Sequence, residues 1–171
     1  HGIQLVLPSN EVSFEEEASA YNFSVQQSSK LKLVMGYDRR RVVRDNVTSS
    51  DLVVSGFESL LSDRMLDLDS LDALIVVTQT PDYIIPGTSY VIHGRLGLRQ
   101  DMLCLDINQG CAGYIVGLIT AFSLLSQTGI KRIALVNVDI VSRLVAVSDR
   151  NSRPLIGDAA SITIIDRDAH A

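Results

Sequence analysis

The sequence contains no tryptophan, and its aromatic content of 5% rests on four phenylalanines and five tyrosines. Its core must therefore come from aliphatic side chains, and a hydrophobic fraction of 46% in 171 residues is enough for one domain-sized core. Cysteine is equally scarce. Cys104 and Cys111 make neither a disulfide framework nor a zinc site, so the expectation is a reducing, cytoplasmic setting with no metal. Basic residues are outnumbered, 15 against 20 acidic ones, and the net charge of -5 argues against a nucleic-acid reader. The longest apolar runs have only strand length, so no membrane span is expected. The opening "HGIQLVLPSN" lacks the basic region, apolar core and cleavage site of a secretory signal. No Gly-x-Gly-x-x-Gly or Gly-x-x-x-x-Gly-Lys-Ser/Thr follows the first strand, which weakens a nucleotide-binding reading.

What is present is an alternation of strands and helices. "GIQLVLP" reads as a short apolar strand closed by Pro8. Ser13 opens a helix with Glu16 as its capping-box partner, and "SVQQSSKLKLVMG" is a second helix ended by Gly36. "YDRRRVV" is extended and edge-like. "TSSDLVVSGFESLLSDRML" spaces its apolar residues as an amphipathic helix, and "DALIVVTQT" is a strand covered on both faces. The loop "TPDYIIPG" leads to a helix stopped by Gly97, then to the strand "MLCLDIN". "AGYIVGLITAFSLLSQTG" is apolar on most sides and is expected to be the most buried helix. "RIALVNVD" and "ASITIID" complete five core strands, an α/β sandwich. The polar stretch from Ser142 to Asp158 between them is the longest irregular connection.

The stretch "DINQGCAGYIVGL", from Asp106 to Leu118, places Cys111 where a strand gives way to an apolar helix. The carboxyl end of a parallel strand is where α/β folds bind ligands. A helix N-terminus also favours a thiolate and offers backbone N–H groups to an oxyanion. Gly110 and Gly113 remove side chains that would crowd such a turn. Equally, a free cysteine is often no more than a small buried apolar residue. Cys104 alternates within its strand and reads as inert core.

"DINQGCAGYIVGL" resembles the active-site segment of β-ketoacyl-acyl carrier protein synthase III, in the thiolase-like superfamily, where the pattern runs Asp-x-x-x-Ala-Cys-Ser/Ala-Gly-Phe. Here Asp106, Gly110, Cys111, Ala112, Gly113 and Tyr114 stand in that order. "LPSNEV", "DALIVVTQTPDYIIPGTSYVIHGRLGL" and "SDRNSRPLIGDAAS" resemble further segments of the family in the right sequence. The resemblance implies a three-layer α/β/α sandwich with a five-stranded, mixed, mostly parallel sheet whose last strand, near Ser161–Ile165, is antiparallel. It implies that the whole of 1–171 is an N-terminal domain, with a similar C-terminal domain beyond it supplying a catalytic histidine and asparagine. Neither His1, His93 nor His170 occupies a family catalytic position.

The implied reaction is a decarboxylative Claisen condensation. Cys111 takes an acyl group from an acyl-CoA or acyl-carrier-protein donor, with its own N–H as one oxyanion donor. Malonyl-acyl carrier protein then loses carbon dioxide and its carbanion attacks the acyl-enzyme, with no cofactor. The family implies a homodimer paired through the strand "LCLDIN"; the acidic charge and the short apolar runs leave no nucleic-acid or membrane partner expected. In CoA-using members a tryptophan six residues before a glycine stacks on adenine; here the glycine is Gly36 and the position is Lys30. Arg150 matches the other wall of that sandwich. A lysine supplies no stacking face, which shifts the expectation toward a carrier-protein donor or a secondary-metabolism role. Ala159 replaces a family glycine and would be strained at positive φ. Ile84, Ile85 and Pro86 lie where the family covers its acyl pocket, although a core-facing loop fits them as well. The run Arg39, Arg40, Arg41 and Arg44 suits the phosphates of CoA, an acidic carrier protein or a solvated strand edge. The competing readings are a thiolase-like acyltransferase that forms an ester or amide, and a non-catalytic partner subunit of a condensing complex. Retention of Cys111 argues against the second.

Overall fold

The computed structural model describes residues 2–167, so His1 and His170 lie outside the described residues. Two compact units make up the described chain. The larger comprises 2–6, 48–139 and 160–167, and the smaller comprises 7–47 and 140–159.

The larger unit is built on a five-stranded sheet. Its strands are β1 (Ile3–Val6), β4 (Ala73–Val77), β5 (Leu103–Ile107), β6 (Arg132–Asp139) and β7 (Ala159–Asp166), in the order β1-β7-β6-β4-β5. β4 pairs in parallel with both β5 and β6, while β7 runs antiparallel to β1. This is the mixed sheet that the resemblance implies. Every residue of β4 is buried, as its unbroken apolar run requires of a strand covered on both faces. Alternation sends Ala73, Ile75 and Val77 to one face, where Ile133, Leu135, Ala121 and Leu125 join them. The last two belong to α5 (Gly113–Leu125). On the other face lie α3 (Ser49–Ser62) and α4 (Thr88–Leu96), which completes three layers.

Burial of the helices departs from expectation. α3 buries Leu52, Val53, Val54, Gly56, Phe57 and Leu60 along with its first two serines. α5 buries only the stripe Gly113, Gly117, Ala121 and Leu125, whereas Ile115, Ile119 and Phe122 are 59–61% exposed. One sheet face covers one stripe of a helix, and an all-round apolar helix needs cover on its outer side as well.

Asp72 ties the amino ends of three strands together. Its carboxylate accepts from the backbone N–H groups of Lys131 at 2.7 Å and Arg132 at 3.1 Å and from Arg99 at 3.2 Å, and its own carbonyl accepts from Leu103 N. Partial burial alone would raise its pKa, but the two backbone N–H groups and the Arg99 guanidinium outweigh it and hold the carboxyl below its usual range. A lowered folded-state pKa means stability that is present above the unfolded carboxylate value near ~4 and is lost as pH falls through the folded value. Asp72→Asn should therefore cost about 1–2 kcal/mol at pH 7. Urea titrations should show that difference shrinking as the pH is lowered below about 4; a constant difference down to low pH would refute the charge argument.

The smaller unit holds the hairpin of β2 (Glu11–Ser13) and β3 (Arg39–Arg41), with α1 (Phe14–Ala18) and α2 (Val25–Met35). Ser13 with Glu16, and Ser24 with Gln27, form capping boxes, and Gly36 closes α2 at φ 75°. Three members of the basic run serve their own unit. Arg39 and Arg41 pair with Glu11, and buried Arg40 pairs with Glu17 and donates to the Ile156 carbonyl. Buried Asp158 accepts from Val43 N, Ser142 N and Ser142 Oγ, which anchors the polar connection from both ends. Ala159 does not lie at positive φ; it begins β7, so the feared strain is absent.

Candidate active site

β5 ends at Ile107, and a 3₁₀ turn, Gly110–Ala112, carries the chain into α5. Gly110 sits at φ 54°, a left-handed conformation that a side chain would strain. Cys111 follows it and is exposed. No side chain caps the start of α5, so its first-turn N–H groups keep the capacity to bind an oxyanion. Gly113 has a different duty from the one its spacing suggested. A Cβ on it would lie 2.3 Å from Val77 Cγ1, and one on Gly117 2.7 Å from Leu135 Cδ1. Their absence lets α5 lie close on β4 and β6, with its N-terminus at the carboxyl ends of the strands.

Cys104 lies within β5 and is half-buried. Burial first, and the Asp106 carboxylate second, push its thiol up. Asp106 itself accepts from Ser89 N at 3.1 Å and from Ser89 Oγ. A Cβ on Gly87 would lie 2.5 Å from its Oδ2. The motif aspartate therefore locks the N-terminus of α4 onto β5, a structural task. His93 is engaged with the Arg99 carbonyl at 2.8 Å, where the chain approaches the amino end of β5, away from the Cys111 turn.

The loop residues Ile84 and Ile85 are 94% and 86% exposed, and Pro86 after them is exposed too. A core-facing loop is thus ruled out for them. Lys30 is exposed on α2, and the Arg150 guanidinium lies 4.6 Å from the centre of the Phe23 ring; both belong to the smaller unit. Arg150 thus has an aromatic face of its own, Phe23, which sequence reasoning missed.

Sequence reasoning also missed a polar cluster at the carboxyl ends of β4 and β6. Asp139 Oδ1 accepts from the Gln79 backbone N–H at 2.7 Å and from the hydroxyls of Thr78 and Thr80, and its Oδ2 accepts from Gln79 Nε2 at 3.1 Å. The available signal was the polar ending "TQT" on an otherwise apolar strand, opposite the terminal aspartate of "RIALVNVD".

Residues 105–171 match the family model of 3-oxoacyl-[acyl-carrier-protein (ACP)] synthase III. A putative 3-oxoacyl-[acyl-carrier-protein] synthase 3 of Campylobacter jejuni is 34% identical over 167 residues, which is 97% of this chain and 47% of the relative. The β-ketoacyl-[acyl-carrier-protein] synthase III of Fusobacterium nucleatum is 32% identical over 130 residues, 76% of this chain and 39% of the relative. Among solved structures, the 3-oxoacyl-(acyl-carrier protein) synthase of Burkholderia xenovorans superposes with a TM-score of 0.89 at 32% identity, covering 96% of this chain and 47% of that one. The chain spans about half the length, or less, of the curated relatives it matches.

Proposed function

Because the chain is a relative of the 3-oxoacyl-[acyl-carrier-protein] synthase III family along nearly its whole length, we propose that Cys111 is the acyl-accepting nucleophile of a condensing enzyme in fatty acid or polyketide-like biosynthesis. One observation carries the proposal: Cys111 is exposed in a glycine-led turn at the N-terminus of α5. Its thiolate attacks the thioester carbonyl carbon. The oxyanion so formed takes hydrogen bonds from backbone N–H groups of the turn, and its collapse expels the donor as a thiolate, which takes up the proton that Cys111 released. Malonyl-acyl carrier protein then loses carbon dioxide. The resulting carbanion forms a carbon–carbon bond to the acyl carbon and expels the Cys111 thiolate. A histidine and an asparagine for the decarboxylation come from a second, C-terminal domain of similar fold.

The chain has no tryptophan, the side chain that stacks on adenine in the CoA-using members. An acyl-carrier-protein donor therefore fits better than acyl-CoA. β5 is an edge strand of the sheet, with Leu103 41% exposed, and in the homodimer it pairs with its mate. Sedimentation of the intact protein at micromolar concentration should give the dimer, and a monomer would remove that element of the proposal.

Two measurements test the reaction. Incubation with a reactive acyl thioester, followed by peptide mass mapping, should place the acyl group on Cys111; an acyl group on Cys104 would overturn the assignment. Residues 1–171 alone should release no carbon dioxide from malonyl-acyl carrier protein, while the intact protein should. Equal turnover by both would show that the second domain is unnecessary.

A further inference from the structure

Asp139 does more than close the ends of β4 and β6. A carboxylate only accepts hydrogen bonds, so the Gln79 amide must present its NH2 to Asp139. The backbone N–H of the same residue is held by the same carboxylate, at 2.7 Å. Gripped at two points, the amide has one orientation, and Oε1 faces the other way. That oxygen lies 3.5 Å from the place a Gly110 Cβ would occupy, beside the Cys111 turn. It makes no hydrogen bond among the described residues, and Gln79 is exposed. From Gln79 the chain runs directly into the exposed loop of Ile84 and Ile85, so the acceptor lies beside the residue that precedes Cys111 and a few positions ahead of that loop in the chain.

We propose that Gln79 is a specificity residue of the Cys111 site: its side-chain oxygen, aimed by Asp139, takes a hydrogen bond from a hydroxyl on the acyl group near the thioester carbon. The inference rests on Cys111 being the acylated residue. A plain alkyl chain offers that acceptor no donor and leaves it to solvent. A 3-hydroxyacyl donor can supply the O–H. Asp139 is a positioning residue in this scheme, because it acts only by fixing the amide.

The test compares 3-hydroxybutyryl and butyryl thioesters of N-acetylcysteamine with the intact protein, following acylation of Cys111 by mass. The hydroxylated donor should react about three- to tenfold faster, the range that one neutral hydrogen bond allows. Gln79→Leu should abolish the preference while leaving iodoacetamide alkylation of Cys111 unchanged. Asp139→Asn, whose amide can pair with Gln79 in either orientation, should reduce it. Acylation by both donors at equal rates in the wild-type protein would overturn this inference alone, as would an undiminished preference in Gln79→Leu. Acylation by neither would overturn the nucleophile assignment and this inference with it. The wild-type comparison decides even if a variant does not fold.

Discussion

Cys111→Ala should leave no acyl-enzyme and reduce acyl transfer by at least about a thousandfold, since no other group in the turn can form the covalent intermediate. The fold should survive. Cys111 is exposed, and surface changes of this kind usually shift stability by less than about 0.5 kcal/mol. Cys104→Ala should behave in the opposite way. It removes a half-buried side chain and should cost about 1 kcal/mol of stability, yet keep the activity. Alkylation separates the two thiols further. Burial and Asp106 raise the Cys104 pKa, so its thiolate fraction at neutral pH is depressed and its labelling should become appreciable only in alkaline solution. Full activity in Cys111→Ala, or equal labelling of both thiols at pH 7, would reject the assignment.

The second large effect is expected at Gly113. A methyl there would stand 2.3 Å from Val77 Cγ1, far inside van der Waals contact, and Val77 belongs to the fully buried β4. The side chain cannot swing into solvent, so either α5 lifts or β4 shifts. Gly113→Ala should therefore destabilise by about 1–3 kcal/mol despite the higher helix propensity of alanine. It should also slow acylation if the first turn of α5 carries the oxyanion donors, as proposed above. Gly113→Ala with Val77→Ala relieves the clash and should recover part of both losses. Strict additivity in the double-mutant cycle, measured by urea denaturation and by acylation rate, would show that the contact is not the cause.

These cases show what the sequence discloses and what it withholds. The order of strands and helices was legible because apolar runs, capping serines and terminal glycines such as Gly36 and Gly97 are local signals, and the structure agrees with them. The position of Cys111 was legible for the same reason. The work of Gly113 was not, because it is set by Val77, a residue far away in the chain. Nor was the grip of Asp139 on Gln79, which depends on β4 and β6 lying side by side. The burial of α5 was misjudged because its composition reports how apolar it is, while cover is decided by what packs around it.

The bare outer side of α5 bears on how solution experiments on this chain are read. Ile115, Ile119 and Phe122 stand one helical turn apart, exposed while β4 beneath the helix is buried throughout. A fluorescent dye such as ANS binds accessible apolar surface whether or not the protein beneath is loosened. Dye fluorescence from residues 1–171 would thus not by itself indicate a loosened state, and only loss of near-ultraviolet circular dichroism would separate a native state from a collapsed, fluctuating one.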